Sequence, residues 1–133
     1  MPFIHGKNTV IKVNAVDLSQ YTDSSELERT ADSHDVTTYG KAAHVYQGGL
    51  LDGKAKMSGT YNDAVAGPRA TLEPLIGTVV PLIRQVAGVG TGKPQDTADV
   101  LITGYTETNP VADMVKWSCD MQVSGDVATT AQV

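Results

Sequence analysis

Polar and apolar positions alternate most cleanly near the end of the chain. Val115, Trp117, Cys119, Met121 and Val123 fall on one face, and Lys116, Ser118, Asp120, Gln122 and Ser124 fall on the other. Only a strand, whose successive side chains point to opposite faces, satisfies that order. A second alternating run, residues 54–62, places Ala55, Met57, Gly59 and Tyr61 opposite Lys54, Lys56, Ser58 and Thr60, and predicts another half-buried strand. The β-branched run over residues 8–14 predicts a hairpin-like opening that leads into Asp17-Leu18-Ser19. Residues 78–86 and 98–108 are also β-prone, and Asn109-Pro110 marks a turn after the second. Residues 23–33 are ambiguous, because Ser24, Glu26 and Glu28 fit the first turn of a helix. Only Leu27 and Ala31 offer such a helix an apolar face, so an edge strand is expected instead.

One short helix is predicted over residues 68–77, with Pro68 in its first turn, Gly77 at its end and Pro74 limiting its length. Residues 32–49 read as a long loop, residues 87–96 as a loose glycine-rich connection, residues 1–7 as an N-terminal arm and residues 126–133 as a flexible tail. The sum is six or seven strands, one short α-helix and no βαβ rhythm. That pattern defines a mainly β fold, a β-sandwich or partly closed barrel, in a single domain over residues 1–133.

Composition narrows the function classes. A chain of 133 residues buries roughly two thirds of its unfolded surface without staples. A net charge of −5 with scattered Lys and Arg argues against gripping nucleic acid through its phosphates. Cys119 is the sole cysteine, so no intrachain disulfide forms. No signal-peptide pattern opens the chain and no stretch approaches ~20 apolar residues, so production in the cytoplasm and no membrane insertion are expected.

Each chemical motif has a blander reading that fits better. Residues 88–93, Gly-Val-Gly-Thr-Gly-Lys, imitate a phosphate loop, but Ala87 stands where glycine is needed and Pro94 follows the lysine. Asp32, His34 and Asp35 form a polar cluster without the convergent geometry a metal demands, and His5 and His44 lack zinc spacing. Cys119 lies on the apolar face beside Trp117, where a thiol behaves as a small hydrophobe. Glu26 with Glu28 and Asp96 with Asp99 read as solvated charges. No catalytic residue, metal or cofactor is expected.

The order of features resembles the major tail tube proteins of long-tailed, siphovirus-like phages. The resemblance rests on residues 3–9 (Phe-Ile-His-Gly-Lys-Asn-Thr) leading into a strand, then residues 16–19, 31–40 and 49–59, and the long strand ending Val123-Ser124-Gly125. It spans roughly residues 3–125. It implies a non-enzymatic subunit that forms stacked, hexameric rings around a channel for DNA delivery, located in the virion tail. The partners it implies are other copies of the chain, a tape measure protein, a tail terminator and tail tip proteins, with DNA passing transiently. In that family the loop matching residues 32–49 reaches a neighbour, which points to Tyr39, Val45 and Tyr46 as subunit-interface anchors. Acidic residues lining the channel would repel phosphates. Among Asp52, Glu107, Asp113 and Asp120, Asp120 is the best lumen-facing candidate, because it projects opposite Trp117 and Cys119. The alternatives are a β-sandwich binding or decoration module of a virion, and a tube protein of a contractile injection system.

Overall fold

A computed structural model describes residues 3–63, 65 and 67–132; residues 1 and 2 of the expected arm and residue 133 of the expected tail lie outside them. The strands are β1 (Val10–Val13), β2 (Val16–Asp17), β3 (Ser24–Asp35), β4 (Tyr46–Thr60), β5 (Val79–Gln85), β6 (Pro94–Thr108) and β7 (Lys116–Ala131). They form one antiparallel sheet in the order β2-β1-β5-β6-β7-β4-β3. The two facing sheets of a sandwich are therefore replaced by one sheet that curls. Ile11 and Arg84 from one flank and Ser24 and Ser25 from the other line a common cleft of about 540 Å³, the seam of a partly closed barrel.

The alternation read from the sequence is the alternation of burial. Trp117, Cys119, Met121 and Val123 of β7 are buried, as are Ala55 and Met57 of β4. They pack with Ile11, Val13, Leu82, Val100 and Ile102 into one core. The helix α1 (Pro68–Leu72) closes the core with Leu72 and runs into a 3-10 turn at Glu73–Leu75, shortened as Pro74 dictates. Arg69 anchors it, 2.9 Å from Glu73 on the same turn and 3.6 Å from Glu107 on β6. Burial of the central Trp117 is completed by its indole Nε1–H, which donates to the Tyr21 carbonyl at 3.2 Å, and by Tyr105, whose ring stacks at 6.2 Å.

Two tight turns carry positive φ. Asn14 (φ 51°) and Ala15 (φ 67°) connect β1 to β2 as both central residues of a primed hairpin turn. The left-handed region costs a residue with a Cβ about 1–2 kcal/mol, and Ala15 occupies it without the local side-chain hydrogen bonding open to asparagine. Ala15→Gly is expected to raise stability by about 0.5–1 kcal/mol, the relieved strain less the added freedom of the unfolded chain. Urea unfolding measures it, and an unchanged midpoint would refute the strain. Asp17 follows the turn: burial pushes its carboxyl up, but the Ser19 hydroxyl and N–H, with Lys12 nearby, leave it below the usual value.

Three expectations need correction. Residues 32–49 are loop only in part, because β3 and β4 stay paired as far as Asp35↔Tyr46 and leave residues 36–45 as the connection. The tail is strand as far as Ala131, pairing with the start of β6 from Thr97↔Ala128 to Pro94↔Ala131. A bulge precedes that pairing: Asp99 meets Ser124, and Gly125, at φ 92°, lets the intervening residues turn out of register. The glycine-rich connection is pinned as well. Gln132 accepts from Gly90 N through its side chain and donates to the Gly88 carbonyl, while its own carbonyl accepts from Gly92 N.

Candidate functional site

The distal part of the β3–β4 hairpin is an arm. β4 pairs with β7 only from Thr60↔Lys116 to Lys54↔Gln122, whereas β3 and β4 remain paired well beyond that point. Residues 30–52 are therefore exposed on both faces. The tip is nonetheless stitched together. Val36 N donates to the Val45 carbonyl at 2.8 Å, and Thr37 Oγ1 accepts from Val45 N at 2.7 Å. Asp35 stands 3.6 Å from His44.

Tyr39, Val45 and Tyr46 are all carried on this arm, each exposed, with Tyr39 fully so. Sequence reasoning missed Leu50 and Leu51, which are 80% and 69% exposed on the same arm. Their signal was present: adjacent residues of a strand face opposite ways, so a Leu-Leu pair cannot both enter a one-sided core. Large apolar side chains exposed together on one element are a common mark of an interaction surface.

The second feature is the outward face of β3, β4, β7 and β6. Cross-strand register aligns Glu26 with Lys56 and Lys56 with Asp120, and in the next row Glu28 with Lys54 and Lys54 with Gln122. Asp120 is exposed on this face, opposite the buried Trp117 and Cys119. The face is a ladder of alternating charge rather than a purely acidic surface. Asp52 sits at its margin, where its carboxylate accepts from the Gln122 amide at 2.6 Å.

The third feature is a pair of open strand edges at opposite sides of this four-strand stretch. Among the described residues, β3 has β4 as its only sheet neighbour. β5 reaches β6 no further than Val79↔Leu101, so Thr103–Thr108 of β6 has no strand on that side among the described residues. The directions of β6, β7, β4 and β3 alternate, so β6 and β3 run opposite ways.

The glycine-rich and histidine motifs make other contacts. The backbone N–H groups that a phosphate would need at Gly90 and Gly92 are engaged by Gln132. Among the described residues, no group of three His, Cys, Asp or Glu can hold a metal, and the His34 ring instead lies over Gly49. No helix among the described residues is long and apolar enough to cross a membrane. Burial, and then the charge of Asp120, pushes the Cys119 thiol up to about 12. In the folded protein Cys119 is expected to resist a thiol reagent at pH 8 and to react at least a hundredfold faster in urea; equal rates would place it at the surface.

The described residues thus combine an antiparallel β-sheet with a projecting arm, a face of alternating charge and two open edges that run opposite ways. Comparison with solved structures gives that geometry a name. The chain superposes with a TM-score of 0.81 on a chain of the virion of a native gene transfer agent particle, at 15% identity, covering 97% of this chain and 100% of that one. It matches the tail tube of SPP1 at 0.77 and 12% identity, covering 98% and 81%. It matches the sheath-tube complex of the extracellular contractile injection system PVC at 0.73 and 10%, covering 98% and 93%. The fold is the tail-tube fold, as the resemblance in the sequence implied. No known family and no curated protein matches the sequence itself.

Proposed function

We propose that this chain is the structural subunit of a tail tube. Copies join edge to edge, the open edge of β6 in one against β3 of the next, and the ring closes by rotation. The observation that carries this reading is the placement of the two free edges on opposite sides of one polar-faced stretch, running in opposite directions. Six copies per ring accord with a similar chain solved in a gene transfer agent tail with C6 symmetry. Rings stack through the arm, with Tyr39, Val45, Tyr46, Leu50 and Leu51 as its apolar anchors.

In such a ring the face bearing Asp120 lines the channel. Lys56 stands in register between Glu26 and Asp120, and Lys54 beside Glu28, so DNA meets rows of mixed sign to which it adheres weakly. The role is geometric and involves no cofactor. The tube would be made in a host cytoplasm, reside in a virion tail and meet a tape measure protein inside, a terminator at one end and tip proteins at the other. The likeness to the contractile PVC sheath-tube complex supports a second reading, a tube inside a sheath.

Negative-stain electron microscopy of the purified protein, with light scattering over a concentration series, tests the proposal. Rings or hollow tubes with an axial repeat are expected. A monomer at every concentration, even with tail-tip complex added to nucleate growth, would refute it and favour a decoration or binding module.

A further inference from the structure

The base of the arm is fastened to the body by side chains that neither the core nor the open edges require. Arg29 lies on β3 opposite Gly53, at the point where β4 parts from β7. Its guanidinium reaches back across the sheet, donating from Nη1 to Thr129 Oγ1 on β7 at 3.1 Å and standing 4.0 Å from the Asp96 carboxylate on β6. Asp96 is 8% exposed, accepts from Thr129 Oγ1 at 2.7 Å and lies 3.8 Å from Arg84 on β5. Four strands thus converge on one buried carboxylate. On the other face of the arm's base, Gln122 donates to the Gly53 carbonyl at 2.7 Å as well as to Asp52. Gly53 itself admits no side chain, since a Cβ there would meet the Glu28 carbonyl at 2.8 Å and Val123 at 3.2 Å.

We propose that Arg29, Asp96 and Thr129 form a clasp that aims the β3–β4 arm in the free subunit, so that it meets a neighbour already oriented. The inference rests on the tube reading for its purpose but not for its existence. Buried carboxylates persist where they are paired and hydrogen-bonded, and breaking such a pair leaves an uncompensated charge. Arg29, itself half exposed, contributes little to the core, so the geometry that it enforces is the arm's rather than the body's. Pre-orienting a binding element removes the ordering cost from the association step and speeds it.

The direction of the arm is measurable without assembly. Spin labels are attached at Lys41→Cys on the tip and Lys116→Cys on the body, with buried Cys119 left unlabelled. Pulsed electron resonance then gives a distance distribution, expected to be narrow in the parent, at least twofold broader in Arg29→Gln and in Asp96→Asn, and narrow again in Arg29→Lys. Arg29→Gln keeps the buried carboxylate paired with Arg84 and so retains the fold. Parent and Arg29→Gln distributions of equal width would overturn the clasp, as would a parent distribution already broad. Light scattering provides the second readout, with the lag before assembly at least fivefold longer in Arg29→Gln. A broadened arm in a protein that never assembles in any form would overturn the tube reading and leave the clasp standing. An unbroadened arm with slowed assembly would do the reverse.

Discussion

A subunit in which residues 37–44 are replaced by Asn-Gly is expected to fold as the parent does and to form no tubes at concentrations at least tenfold above those at which the parent assembles. The replacement is structurally mild, because Val36 and Val45 are already joined by a backbone hydrogen bond and a two-residue primed turn closes such a pair. Everything removed is exposed, so the unfolding midpoint should move by no more than about 0.5 kcal/mol in equivalent stability. Assembly is another matter. An aromatic anchor in an interface contributes about 2 kcal/mol or more, roughly a thirtyfold change in a binding constant. In the proposed tube Tyr39 is lost from every subunit, so the deficit repeats along the whole stack. Circular dichroism would establish folding and electron microscopy would count tubes; tubes at parental yield would remove the arm from the interface.

Trp117→Ala is expected to destabilise the subunit by about 3–5 kcal/mol. The indole is 1% exposed near the start of β7, stacks on Tyr105 and donates to the Tyr21 carbonyl, so truncation leaves both a void and an unpaired carbonyl. Domains of this size carry about 5–15 kcal/mol in total, so the variant should unfold at a fraction of the parental urea concentration. Gly59, the cross-strand partner of Trp117, explains why the site cannot rearrange. Its missing side chain is what allows the Tyr21 carbonyl to approach, and any Cβ there would collide with it. A loss below about 1.5 kcal/mol, followed by circular dichroism in urea, would show that the core closes over the void.

The strands legible in the sequence were those with one wet and one dry face. Residues 116–124 and 54–60 alternate because burial selects every second residue, and there the reading and the structure agree. The edge position of β3 was also legible, from the shortage of apolar residues to bury. Residues 32–35 and 46–49 are paired but wet on both faces, so no alternation distinguishes them from loop, and Gly48-Gly49 deepens the impression. The same holds for the small residues 128–131 of the tail. The polar clasp was invisible for a different reason: Arg29, Asp96 and Thr129 are ordinary surface residues until the curl of the sheet brings them together. Of the candidate site, Tyr39, Val45, Tyr46 and Asp120 stand on exposed surfaces, while Lys54 and Lys56 beside Asp120 required the strand register to be seen.

The arm leaves each subunit at one end of β4 only. A column of rings built from such parts has a direction: one terminus displays unsatisfied arms, and the other displays the surfaces that would receive them. In the proposed tube, whatever closes the two termini would therefore be two chemically different molecules, and a growing column would distinguish its origin from its advancing tip without further instruction.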